Sequence, residues 1–183
     1  MELNYKSCPI LGFAAYSGTG KTTLLVQLIP ILRQKGLNLA VVKHAHHDFD
    51  TDQPGKDSFE LRKAGAAQML VGSSRRSALI VEKEIPAEPG LQDLLPMLDT
   101  RALDLILVEG FKTESFPKIE LYRAAMDQPL RCHHDRNIIA VASDATLSSV
   151  MHIPVLDLNQ PGEIVDFILA YIAAPNQQAS TGP

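Results

Sequence analysis

The stretch Ile10-Leu11-Gly12-Phe13-Ala14-Ala15-Tyr16-Ser17-Gly18-Thr19-Gly20-Lys21-Thr22-Thr23 decides the fold. Its first part, residues 10–15, is a short apolar run of the kind found in a strand buried on both faces of a parallel sheet. Its second part, Ala15–Thr22, has the spacing of a phosphate-binding loop, with Ala15 where a glycine is usual. That position needs a small residue more than a flexible one. Gly18 and Gly20 allow backbone conformations that a Cβ would block, so the loop N–H groups can turn inward. The helix that follows would offer free N–H donors and a positive dipole end to anionic oxygens. Lys21 would place a compact charge at the β- and γ-phosphates, the Thr22 hydroxyl would ligate Mg²⁺, and Thr23 would bond the α-phosphate. Ser17, Gly18, Thr19, Gly20, Lys21, Thr22 and Thr23 are therefore the expected nucleotide-binding residues. A chance glycine-rich turn is the bland alternative, and the strand before and helix after the loop argue against it.

Working outward, Leu24, Leu25, Leu28, Ile29 and Leu32 fall at helical spacing over 21–35, and Gly36 closes the helix. Pro30 inside that pattern is a kink candidate. Residues 38–43 read as a second strand. A helix is expected from Asp57 or Ser58 to Ala64, ended by Gly65. Residues 67–72 and 77–83 read as a hairpin around Ser73–Arg76. Residues 91–98 look helical. Strands are expected at 103–108, 118–122, 138–142 and, briefly, 155–156, with a closing helix from Pro161 to about Ala173. This order predicts an α/β, P-loop NTPase fold: a mostly parallel sheet, flanking helices and an added hairpin. We expect a single domain over residues 1–174 and a disordered tail at 175–183.

A P-loop site needs a carboxylate at the end of a neighbouring core strand to hold Mg²⁺. Glu109 ends the run Leu103–Val108 and is the expected second metal ligand; a strand-end Glu in solvent is the alternative. The stretch 44–57 carries His44, His46, His47, Asp48, Asp50 and Asp52. One reading is a switch segment in which Asp48 reaches Mg²⁺ or positions the attacking water, which makes Asp48 a catalytic candidate beside Lys21. A second is a transition-metal site, since imidazole with carboxylate suits Zn or Ni. A third is a solvated loop. The Asp residues favour the first reading, and the His cluster is left open. Cys132-His133-His134-Asp135 reads as a polar turn rather than a metal site. Asp144, after the strand 138–142, is placed to accept from guanine N1–H and N2–H₂, although the longer Asn-Lys-x-Asp signature is absent; capping the next turn is its bland role.

Composition narrows the classes. The net charge of −4 speaks against a nucleic-acid partner held by broad electrostatics. The Arg75-Arg76 pair reads as a solvated hairpin tip. Two isolated cysteines make no disulfide framework, no apolar run is long enough for a bilayer, and the N-terminus does not resemble a secretory signal. The expectation is a cytoplasmic protein without a membrane or nucleic-acid partner.

Several stretches together resemble the molybdopterin-guanine dinucleotide biosynthesis protein B family. They are Phe13–Thr23, Lys43–Asp50, Gly55-Lys56-Asp57-Ser58, Leu61–Ala66, Leu103–Lys112 and Ala140–Asp144, within a match over roughly residues 9–172. The run His44-Ala45-His46-His47-Asp48-Phe49-Asp50 with Gly55-Lys56-Asp57-Ser58 is far more specific than the P-loop. The resemblance implies a GTP-binding, weakly GTP-hydrolysing adaptor that assists the guanylyltransferase attaching GMP to molybdopterin. It also implies a homodimer, with the hairpin near 67–83 a place for sheets to join. GTP and Mg²⁺ are then the expected ligands. Two other readings compete: a small-molecule kinase with Arg75-Arg76 as a phosphate lid, and a nickel-delivery metallochaperone using His46 and His47. Slow turnover is expected because no arginine finger can be placed, Arg62 being a candidate.

Overall fold

A computed structural model describes residues 8–45, 49–147 and 152–174. The chain divides into two compact units, one formed by residues 45–89 and the other by the chain on either side of them.

The larger unit is built on a six-stranded sheet in the order β2-β5-β1-β6-β7-β8, with every neighbouring pair parallel. β1 is Ile10–Ala14, β2 Leu39–Lys43, β5 Leu105–Glu109, β6 Lys118–Tyr122, β7 Ile138–Ser143 and β8 Val155–Asp157. All five residues of β1 are buried, as its continuous apolar run requires for a central strand covered on both faces. α1, Lys21–Gln34, and α4, Pro161–Ala173, pack together over one face. Leu24, Leu25, Leu28 and Leu32 of α1 and Ile164, Val165 and Ile168 of α4 join the sheet residues Leu11, Phe13, Leu107 and Ile119 in one core. The opposite face is closed by Leu91, Leu95, Phe111 and Phe116 over Ile10, Ile106 and Val108.

α1 runs through Pro30 without a break. Pro30 lies on the exposed face one turn beyond Val26, so water can take the carbonyl bond that the proline cannot donate. Gly36, at φ 91°, ends the helix in the left-handed conformation, and Leu37 N–H returns to Leu32 O at 3.2 Å. The helix expected over 91–98 is one α-turn, α3, Leu91–Leu94, followed by a 3₁₀ turn at Leu95–Met97. Pro96 cannot donate the bond that would extend the α-ladder. β5 starts later than expected, at Leu105, because Asp104 is held out as a loop residue: its carboxylate and its N–H bond Asn38 N–H and Asn38 O.

The smaller unit contains α2, Asp57–Lys63, and the antiparallel hairpin of β3, Gln68–Gly72, with β4, Ser77–Val81. The hairpin expected from the sequence is present, with a two-stranded sheet of its own. Arg62 of α2 is the hub of this unit. Its guanidinium bonds Asp50 at 2.7 and 2.8 Å and also Glu82, and it faces the Phe59 ring at 5.6 Å.

Candidate functional site

Sheet register brings the candidate residues together. Phe13, next to last in β1, and Lys43 at the end of β2 both pair with Glu109, the last residue of β5. The chain leaves β1 directly into the glycine-rich loop, so the loop, Lys43 and Glu109 share the carboxyl edge of the sheet. This is where doubly wound folds place ligands. The turn after Glu109 is forced: Gly110 has φ 104°, and a Cβ there would lie 2.6 Å from His44 Cβ.

Within the loop, Gly18 and Gly20 take φ 81° and 99°, conformations that disfavour any residue with a Cβ. α1 begins at Lys21 with no side-chain cap at Gly20. Its first N–H groups therefore face a cleft rather than an internal acceptor, the arrangement that attracts phosphate oxygens. The cleft holds about 370 Å³ and is lined by Ser17, Gly18, Gly20, Lys21, Thr22, Thr23 and Glu109. Thr19, also expected to bind nucleotide, points inward instead: it is 2% exposed, and its hydroxyl donates to Tyr16 O at 2.8 Å, bracing the loop from beneath.

Lys21 Nζ rests 3.4 Å from the carbonyls of both Ala15 and Tyr16. Those contacts are long beside the roughly 2.7–2.9 Å of a strong ammonium–oxygen bond, so phosphate oxygens can replace them at little cost. Burial lowers the Lys21 pKa; Glu109 raises it, and Lys112, Lys43 and Arg131 lower it further through space. A site with this excess of positive charge suits an anion of several charges.

Thr22 Oγ1 donates to Glu109 Oε1 at 3.1 Å, and Lys43 Nζ bonds Glu109 Oε2 at 3.0 Å. The donor set fits Mg²⁺. Both groups are hard oxygens, and their separation matches the edge of an octahedron with metal–oxygen bonds of about 2.1 Å, which is roughly 3.0 Å. The Glu109 side chain is 13% exposed, so it is open to the cleft without being freely solvated.

A second cleft of about 170 Å³ lies around the first turn of α1, lined by Gly20, Thr23, Leu24, Gln27, Arg123, Leu158 and Asn159. Asp144 is near but not among these residues. Its Oδ1 accepts from Ala124 N–H at 2.9 Å and its Oδ2 from Arg123 at 3.2 Å. Arg123 also donates to Thr19 O at 2.9 Å, so one guanidinium ties the phosphate loop to Asp144. Nothing in the sequence pattern singled out Arg123, Lys43 or Arg131, because lone basic residues in loops carry no spacing signal.

Asp48, His46 and His47 lie outside the described residues, as does the tail at 175–183. Asp50 and Asp52 are engaged within the smaller unit: Arg62 grips Asp50 and holds its carboxyl below the usual range, and Ser58 donates to Asp52 at 3.0 Å. Arg62 is therefore not a free finger; its side chain is 6% exposed and committed to these acids. Of the Cys132–Asp135 run, Cys132 is buried, and Asp135 bonds Asn137 and the buried Lys118.

Comparison with known proteins gives the family of the chain. The family described as molybdopterin guanine dinucleotide synthesis protein B matches residues 10–144. A molybdopterin-guanine dinucleotide biosynthesis adapter protein of Escherichia coli (strain K12) is 50% identical over 92% of this chain and 95% of its own. One of the same description from Haemophilus influenzae is 41% identical over 87% of each chain. Among solved structures, the MobB protein homolog from Bacillus stearothermophilus superposes with a TM-score of 0.66 at 25% identity, covering 89% of this chain and 97% of that one. A crystal structure of molybdopterin-guanine biosynthesis protein B gives a TM-score of 0.68 at 26% identity, covering 88% and 99%. With a P-loop nucleotide-binding fold, these relatives and a family match over most of its length, the chain belongs to the molybdopterin guanine dinucleotide synthesis protein B family.

Proposed function

We propose that this chain is a GTP-binding adapter in molybdenum cofactor assembly. It binds GTP with Mg²⁺, hydrolyses it slowly, and assists the cytoplasmic guanylyltransferase that attaches GMP to molybdopterin. The observation that carries this reading is the cleft where Lys21, Thr22 and Glu109 meet the open end of α1. It occurs in a chain half identical to a protein described as an adapter.

In this reading the loop N–H groups and Lys21 hold the phosphates, while Thr22 and Glu109 hold Mg²⁺. Bound there, Mg²⁺ would neutralise and orient the β- and γ-phosphate oxygens. Asp48 is assigned to position the attacking water. Asp144 is assigned to the guanine edge: a carboxylate has about four lone-pair sites, and Ala124 and Arg123 occupy only part of that capacity. Arg62, the arginine-finger candidate, is committed to Asp50 and Glu82, which supports slow turnover. The kinase and nickel-delivery readings lose ground to the adapter reading on the relatives' descriptions.

We also assign the protein as a homodimer joined through the β3–β4 hairpin. Leu70 and Leu79 face each other across its strands and are 70% and 46% exposed.

Calorimetry with GTP and ATP, with and without Mg²⁺, tests the site. Lys21→Ala is expected to abolish binding, and unchanged affinity in that variant would sink the assignment. Equal displacement of GTP by ATP would remove guanine specificity. A pull-down with the GTP-loaded protein is expected to recover a molybdenum cofactor nucleotidyltransferase; its absence would remove the partner.

A further inference from the structure

Arg131 lies far from the phosphate loop in sequence, yet the fold fixes it against that loop. Its guanidinium carbon sits 4.3 Å from the centroid of the Tyr16 ring, in cation–π contact. Tyr16 is the loop residue whose carbonyl accepts from both Lys21 Nζ and Thr19 Oγ1. Arg131 therefore packs against the loop residue on which Lys21 and Thr19 both rest.

The backbone of Arg131 is fixed as well. Glu120 stands on β6 opposite Ala14, the last residue of β1, and is 1% exposed. A carboxylate so deeply buried is costly unless its oxygens are satisfied. Its two oxygens accept the N–H groups of Arg131 and Cys132 at 2.7 and 2.9 Å. A buried charge on the strand beside β1 thus sets where the Arg131 side chain begins.

The side chain itself is incompletely satisfied. Arg131 Nε is buried and has no hydrogen-bond partner. A charged donor left unmatched in this way costs free energy, and such groups call for an explanation. The Arg131 charge also reaches Lys21, where it acts with Lys112 and Lys43 against the single acid Glu109.

We infer that Arg131 supplies, from within the same chain, a fixed cation to the terminal-phosphate end of the nucleotide site, with Tyr16 and Glu120 as its positioning residues. This rests on the nucleotide reading given above. A cation on the terminal phosphate forms a charge-assisted hydrogen bond that a diphosphate cannot accept there, so it favours the triphosphate over the diphosphate.

The test is calorimetry on the full chain with GTPγS and with GDP, both in Mg²⁺, for the unaltered protein, Arg131→Gln, Arg131→Lys and Glu120→Gln. Thermal melting is followed in parallel. Arg131→Gln is expected to weaken GTPγS by about 10- to 100-fold, the range for a hydrogen bond to a charged group, and GDP by less than about threefold. Arg131→Lys restores part of the difference. Glu120→Gln shrinks the triphosphate-to-diphosphate ratio in the same direction. Equal losses for the two nucleotides, or a lower melting temperature with an unchanged ratio, would mean that Arg131 only props Tyr16, and overturns the inference. No binding of either nucleotide by the unaltered protein overturns the nucleotide reading and this inference with it.

Discussion

Glu109 shows how one side chain can serve two conditions of the same site. Here it is shared between the Thr22 hydroxyl and the Lys43 ammonium. In the proposed reading, replacing it would remove a metal-binding carboxylate and also a negative charge from the place assigned to the phosphates. The two effects have opposite signs and separate cleanly. Glu109→Gln is expected to lower GTP affinity in Mg²⁺ by about 10- to 100-fold, as for loss of a group that orients a metal. Without Mg²⁺ the same variant should bind GTP as well as the unaltered protein or better. Titration calorimetry in Mg²⁺ and in EDTA makes the comparison; an undiminished Mg²⁺ effect would remove Glu109 from the metal site. Cys132 carries a different residue-scale prediction. Burial, then the nearby Glu120 charge, pushes its pKa up to about 11. At pH 8 only about one thiol in a thousand would be ionised, and the thiolate is the reactive form. Cys8 is buried too, with its pKa also raised by burial and then by Asp104. Neither thiol should react with a disulfide reagent in the native protein at pH 8, and both should react in guanidinium. Rapid labelling of native Cys132 would contradict its packing beside Glu120.

At the scale of elements, legibility followed periodicity. β1 and the phosphate loop were readable because an apolar run, two glycines and a lysine at fixed spacing each carry a separate physical demand. α1 is readable from its leucines, and it continues through Pro30 because that residue lies on the exposed face. The 91–98 segment was overread because its leucines suit a helix while Pro96 denies the next bond. The Thr19 hydroxyl braces Tyr16, which leaves only the Thr19 backbone for a nucleotide; a motif names positions, not the direction a side chain takes. Arg123, Arg131 and Glu120 were invisible because their partners are about 100, 115 and 11 residues away, and contacts of that kind leave no local pattern. Arg62 was visible only as a charge on a helix. Its role inside residues 45–89 is to gather Asp50 and Glu82 while lying over Phe59. Arg62→Met should therefore loosen this unit selectively, since it leaves Asp50 and Glu82 facing each other without a cation. Limited proteolysis is expected to cut within residues 45–89 faster in the variant while sites in α1 and α4 stay protected. Uniform protection in both proteins would show that the ion cluster does not hold the unit together.

For the molecule as a whole, the hairpin poses a problem that the proposed second copy would solve. β3 and β4 form a sheet of only two strands. Such a ribbon is marginal alone, and among the described residues neither of its edges has a further strand partner. α2 packs on β3, and Met69 and Ile80 are correspondingly half-buried. On the other face the cross-strand pair Leu70 and Leu79, with Val81 beside them, remains exposed at 70%, 46% and 42%. An apolar face beside an open strand edge is what a symmetric partner can cover, because a two-fold axis presents the same surface to itself. Putting lysines at Leu70 and Leu79 would place like charges opposite one another across that axis without disturbing the residues under α2. On the proposed homodimer, Leu70→Lys with Leu79→Lys is expected to run as a monomer in light scattering, and the unaltered chain is expected to run as a dimer. Its nucleotide affinity should stay within about twofold, since neither residue belongs to the phosphate cleft. A variant that remains dimeric would place the subunit contact elsewhere. One that becomes monomeric and also loses nucleotide would mean that assembly completes the site, and partner capture could then be measured at protein concentrations on either side of the dimer dissociation constant.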